Sequence, residues 1–278
     1  MPARMYDSRP LVTQLQHELR EDVARFRQQH GRSATLAPVL VGSDDAAQVY
    51  SRQLTRSCHK LGVACMTASY PFETTEEELR TVVATLDADT SIDGVALLLP
   101  FPDHIRQRVV TDVLRPEKDV DGLGARNAGN LMLGFPSFVP STADVVSLIL
   151  ADASIPVAGK HAVIVGRSNI GGKPTALVLM RQDATVTLCH SQTHDLASIT
   201  READVLIVSV GRPAFITADM VRPGAVVLDA GINTVGGGVV GDVEQRVREV
   251  ASFLTPVPRG MGPLTHLTLI RHTLHGPQ

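Results

Sequence analysis

Apolar positions recur along this chain with two alternating periods, and the alternation predicts most of its elements. From Leu11 to Gln29, residues Leu15, Leu19, Val23 and Phe26 stand three or four apart, the spacing of one helix face, and Gly31 supplies an end. Leu36 to Gly42 then reads as a strand. Asp44 or Asp45 can cap a helix running to about Lys60, closed by Gly62. Val63 to Ser69 returns as a strand. Thr75 and Glu78 have capping-box spacing and open a helix whose Leu79, Val82, Val83 and Leu86 face inward. The apolar run from Ile92 to Leu99, stopped by Pro100 and Pro102, is the pattern of a strand buried on both faces, so a parallel sheet covered on both sides is expected. Asp103 to Leu114 reads as a further helix, and Pro116 to Gly122 as a polar loop.

After Pro136 and Pro140 the alternation starts again. It predicts a helix from Ala143 to Leu150, a strand around Val163 to Val165, a helix from Lys173 to Gln182, and strands over Thr185 to Cys189, Val205 to Val210 and Ala225 to Leu228. A hairpin is expected over Gly236 to Gly241. Pro263 to Leu274 has helical spacing at Leu264, Leu267 and Ile270. The fold class is therefore α/β in two domains: residues 1–140, with 263–278 packing back on them, and 141–262 as a doubly wound, Rossmann-like parallel sheet.

Composition narrows the partners. At 278 residues with 44% hydrophobic and 20% charged residues, the chain has room for two ordinary globular domains. A net charge of −3 gives no general attraction to nucleic acid or to an anionic membrane. Cys58, Cys65 and Cys189 form neither a disulfide framework nor a zinc pattern. The first ten residues lack an apolar signal core, so a reducing cytoplasm is expected. Asp119 and Asp121 have no third ligand at suitable spacing, and no metal site is expected.

The candidate chemistry centres on Gly166-Arg-Ser-Asn-Ile-Gly-Gly-Lys-Pro174, where a buried strand runs into a glycine-rich turn and a helix start. Gly166 and Gly171 would let a nucleotide phosphate approach the backbone, although Ser168 stands where a full G-x-G-x-x-G has its middle glycine. The next strand ends in His190-Ser191-Gln192-Thr193, without the acid that usually receives ribose hydroxyls in NAD sites. Arg167 and Ser191 instead suit a ribose 2′-phosphate, which favours NADP. An ordinary strand-turn-helix with an exposed arginine gives the same pattern.

Six blocks, the Gly166 turn among them, resemble the bifunctional methylenetetrahydrofolate dehydrogenase/cyclohydrolase family in order and spacing: Val41-Gly42…Ala46…Tyr50, Asp93-Gly94…Leu99-Pro100, Asp119-Val-Asp-Gly122, Gly166-Arg-Ser168 with Gly172-x-Pro174, Gly231-Ile-Asn233, and Thr255-Pro-Val-Pro258 with Gly262-Pro-x-Thr265. The resemblance implies a folate domain, an NADP domain, a cleft between them and a homodimer. It implies that Tyr50 lies against the p-aminobenzoate ring and that Asp121 accepts hydrogen bonds from the pterin. Gly166, Arg167, Ser168, Gly171, Ser191, Gly211 and Ile232 would contact NADP; Leu99, Pro100, Pro258, Gly262 and Pro263 would line the substrate site. Taken alone, Tyr50 also reads as a packing residue and Asp121 as a turn former.

The pattern breaks at two linked positions. The family places a lysine one helical turn after the tyrosine, where this chain has Leu54, and a glutamine before the Leu-Pro of the third strand, where it has Leu98. Both members of one polar contact have become leucine, so the expectation is dehydrogenase activity with cyclohydrolase activity weak or lost. Gln53 is a possible stand-in. Arg259 occupies a position where the family's loop has glycine, and Gln192 replaces a basic residue. The histidines of the last helix, His266, His272 and His275, read as packed or solvated. Two other readings stay open: a relative acting on a different iminium-like substrate, and a non-catalytic NADP or folate binder.

Overall fold

A computed structural model describes residues 2–277. The short strand β1 (Arg4–Met5) and the long helix α1 (Arg9–His30) open the chain. Two compact units follow: one comprises Val12–Pro140 with the segment from His266 onward, the other the residues up to Leu11 with Ser141–Thr265.

The first unit contains β2 (Thr35–Val41), α2 (Asp45–Leu61), β3 (Ala64–Cys65), β4 (Ala68–Tyr70), α3 (Glu76–Ala88), β5 (Gly94–Leu98), α4 (Gln107–Thr111) and α5 (Ala125–Leu133). Every residue of β2 is buried. It is the central strand, parallel to β5 on one side and to β3 and β4 on the other. Val63 to Ser69 was expected as one strand, and its register against β2 is continuous, but Pro38 stands opposite Thr67 in that register. Proline has no N–H to donate, so the ladder is interrupted there and two short strands result.

Local signals set the helix ends. The Asp44 carboxylate accepts from the Ala47 N–H at 2.8 Å, Gly62 closes α2 at φ 84°, and both reciprocal bonds of the Thr75/Glu78 capping box are formed. The helix expected over Asp103 to Leu114 is the much shorter α4. The Arg106 N–H and guanidinium are bound by Glu76 at 2.9 and 2.5 Å, so a carboxylate on α3 replaces the carbonyl one turn earlier. Helix α5 was not foreseen, because only Asn127 and Leu131 of its residues are buried.

The second unit adds α6 (Ser141–Asp152), β6 (His161–Val165), α7 (Gly172–Met180), β7 (Thr185–Cys189), α8 (Leu196–Thr200), β8 (Val205–Val208), β9 (Val226–Asp229), the hairpin β10 (Asn233–Val235) and β11 (Gly238–Val240), and β12 (Phe253–Leu254). Helix α9 (Gly262–His275) begins in this unit and continues into the other. Its sheet runs β1-β12-β9-β8-β6-β7, with every neighbouring pair parallel. The chain leaves β6 to one side for β7 and to the other for β8, which is the doubly wound arrangement; in such sheets ligands bind outside the carboxyl ends where the direction reverses. Val163, Val165, Leu206, Val208 and Val227 make its core.

Two expectations need correction here. Residues 1–11 were assigned to the first domain, yet Arg4 and Met5 pair with Phe253 and Leu254 as the edge strand of this sheet. The hairpin was placed over Gly236 to Gly241. Its strands instead flank Gly236 and Gly237, whose φ of 58° and 78° supply the turn.

Candidate functional site

Helix α2 carries the first cluster. Its buried stripe is Ala47, Ser51, Leu54, Cys58 and Leu61, and Leu54 has no exposed surface. Tyr50, one turn earlier, is half-buried, with its ring centroid 4.5 Å from that of His266. Leu98, the last residue of β5, is 6% exposed. Leu54 and Leu98 are thus both packed core. Gln53, considered as a stand-in, is exposed, as are Arg52 and Arg56. Leu99 is half-buried and Pro100 exposed, joined by a cis peptide.

The Asp-Val-Asp-Gly motif divides its acids. Asp119 is 2% exposed and accepts from the Leu123 and Gly124 N–H groups at 3.0 and 2.8 Å and from Asn127 Nδ2 at 3.0 Å. Burial raises its carboxyl to about 6 against those bonds. Asp119 is the turn former, and Asp121, two residues on, is half-buried. Gly122 ends the loop at φ 62°, where a Cβ would lie 2.4 Å from the Phe138 carbonyl oxygen. His272 Nδ1 lies 2.7 Å from the Val120 oxygen, so α9 braces the same loop. Lys118 is engaged away from this cluster: its ammonium donates to the Asp87 and Asp89 carbonyls at 2.7 and 2.6 Å, at the end of α3.

In the second unit the sequence-read cofactor residues gather at the carboxyl edge of the sheet. Arg167 and Ser168 follow β6, Ser191 follows β7, Gly211 follows β8 and Ile232 follows β9, and all five are exposed. Gly166 has φ 123°, and a Cβ there would lie 2.0 Å from the Ser209 carbonyl oxygen; one on Gly172 would lie 1.7 Å from the Gly166 oxygen. These glycines are required first by the turn's approach to its own chain. At Gly171 a Cβ would crowd the hydroxyls of Ser209 and Ser168, at 2.8 and 3.1 Å. The Gly171 N–H donates to Ser168 Oγ at 3.0 Å where α7 begins. Exposed cation and hydroxyl donors around a helix start fit a dinucleotide with an added phosphate.

Two acids behind this edge were missed. Asp242, with no exposed surface, accepts from the N–H groups of Val210, Gly211 and Arg212 at 2.6, 2.9 and 2.8 Å and from Asn233 Nδ2 at 2.8 Å. Asp229 accepts from the N–H groups of Gly231, Asp242 and Val243, and burial raises its carboxyl to about 6. Together they hold the loops bearing Gly211 and Ile232. Gly231 is glycine because a Cβ would meet the Asp242 carboxyl carbon at 2.2 Å. No local pattern marks Asp242 as a loop anchor, because its backbone donors lie some thirty residues away.

Pro258 and Pro263 are exposed and Gly262 half-buried. Arg259 is exposed with φ 81°, a backbone conformation that favours glycine, and its carbonyl accepts from Ser8 Oγ at 2.6 Å. Among the described residues no group of three or more His, Cys, Asp or Glu could hold a metal ion, and no helix is long and apolar enough to cross a membrane.

Comparison with known proteins bears on both units. Residues 6–121 match the tetrahydrofolate dehydrogenase/cyclohydrolase catalytic domain, and residues 140–277 the NAD(P)-binding domain of the same family. The bifunctional protein FolD of Moorella thermoacetica is 44% identical over 276 residues, covering 99% of this chain and 98% of that protein. Its counterpart in Halalkalibacterium halodurans is 43% identical over 275 residues, with the same coverage. The crystal structure of the Campylobacter jejuni enzyme superposes with a TM-score of 0.93 at 36% identity, over 98% of this chain and 97% of that one. The Trypanosoma brucei enzyme, complexed with NADP and an inhibitor, gives 0.92 at 32% identity, over 99% and 97%. On matches spanning both units, the chain belongs to the tetrahydrofolate dehydrogenase/cyclohydrolase family.

Proposed function

We propose that this chain oxidises 5,10-methylenetetrahydrofolate to the 5,10-methenyl form with NADP, and that its hydrolysis of the methenyl product is weak or lost. The observation that carries the second half is the complete burial of Leu54 as hydrocarbon, with Leu98 nearly as buried. NADP, when bound, supplies the hydride acceptor. The carbon that loses hydride lies between two nitrogens whose lone pairs stabilise the resulting cation, so the oxidation asks little of a protein base. In this reading the chain binds and orients: Tyr50 lies against the p-aminobenzoate ring, Asp121 accepts from the pterin, and the Gly166 to Ser168 turn with Arg167 and Ser191 receives the cofactor. Hydrolysis is different, because attacking water must lose a proton and the adduct must be protonated to break a C–N bond. A positioned proton carrier is worth ~10²–10⁴-fold in such steps, and leucine cannot carry one. The working form is read as a cytoplasmic homodimer on the family resemblance.

The test is a parallel assay of both steps. The methenyl chromophore should appear with NADP and persist, and Leu54→Lys with Leu98→Gln should restore its decay by about tenfold or more. Wild-type hydrolysis keeping pace with oxidation would overturn the assignment.

A further inference from the structure

His266 is a buried titratable group for which the proposed chemistry has so far given no role. It is 5% exposed, on α9 among the buried Leu264, Leu267 and Ile270, where an apolar side chain would fill the space at less cost. Its ring lies against Tyr50, centroids 4.5 Å apart and planes inclined at 51°. Its Nε2 is buried and has no hydrogen-bond partner among the described residues. Most buried polar atoms are paired, and an unpaired one costs about 1–3 kcal/mol, so this nitrogen calls for a partner from outside the chain. Burial alone pushes the imidazole down to about 4, so at neutral pH it carries one N–H donor and one acceptor nitrogen and no charge. It is therefore not a cation replacing the missing lysine.

We infer that His266 is a folate-contacting residue, its Nε2 forming a hydrogen bond with a polar atom flanking the p-aminobenzoyl ring that lies against Tyr50. The inference rests on the folate reading of Tyr50 and deepens it: the contact confers affinity and selectivity for the folate arm. The ring is flanked by the N10 nitrogen at one end and a carboxamide at the other. The carboxamide offers both a donor and an acceptor, and a neutral imidazole can meet either. The ring contact with Tyr50 fixes where the imidazole sits, so its unpaired nitrogen is a directional anchor beside that ring.

Three variants separate the outcomes. His266→Phe should raise the KM for methylenetetrahydrofolate by about tenfold, leave the KM for NADP unchanged, and change kcat less than the folate KM. His266→Gln, which keeps a donor and an acceptor, should recover part of the loss. Tyr50→Ala should weaken folate binding whether or not His266 has a role. In the wild type, the Nε2 nitrogen-15 resonance of His266 should move on addition of tetrahydrofolate; this readout remains if His266→Phe fails to fold. An unchanged folate KM in His266→Phe, or an unmoved resonance, overturns the inference. If Tyr50→Ala also binds folate normally, the folate reading of this face fails with it.

Discussion

At the scale of the residue, the burial of His266 makes stability depend on acid. The side chain is nearly closed to water, and its folded pKa of about 4 lies below the ordinary histidine value of 6.5. Between these values the unfolded chain holds a proton that the native chain lacks, so stability is full above pH 6.5 and is lost as pH falls toward 4. The ceiling is about 3 kcal/mol. Chemical denaturation between pH 7 and pH 4.5 should show a steeper loss in the wild type than in His266→Phe; parallel curves would refute it. Leu54 shows the reverse case. A lysine placed alone at a position without exposed surface needs a partner, so Leu54→Lys alone should cost more stability than Leu54→Lys with Leu98→Gln.

At the scale of the element, the turn after β6 is constrained by its own backbone. Gly166→Ala would place a methyl 2.0 Å from the Ser209 oxygen at φ 123°, and the turn must move to admit it. The expected result is at least a tenfold weaker Kd for NADP, measured by titration, with tetrahydrofolate affinity in the other unit kept; unaltered NADP binding would contradict it. Elements were legible where one short-range cause dominated. Asp44, Gly62 and the Thr75/Glu78 box mark helix ends because their partners lie within a few residues. The division of β3 from β4 and the shortening of α4 were hidden, because Pro38 and Glu76 act from across the unit.

At the scale of the whole molecule, the first residues of the chain complete the far edge of a sheet built from residues beyond 160. Removing residues 2–8 deletes β1, the buried Tyr6 whose hydroxyl donates to Asp152 at 2.9 Å, and the Ser8 bond to Arg259. Losing the Tyr6 side chain alone corresponds to about 2 kcal/mol, so the Tm of the NAD(P)-binding unit should fall by roughly 5 °C or more. Calorimetry showing no change would refute the assignment of this edge.

Hydrophobic periodicity, helix caps and the block order around Tyr50, Asp121 and Gly166 determined the α/β class and the doubly wound second unit. These are local properties: a strand, a cap or a glycine turn is written in a handful of adjacent residues. Only the tertiary structure decided that Leu54 and Leu98 are packed core, that Asp119 and Asp242 anchor loops, and that an unpaired imidazole rests on Tyr50. Burial and hydrogen bonding depend on which distant segments meet, and a side chain's partner some two hundred residues away leaves no mark on the sequence beside it.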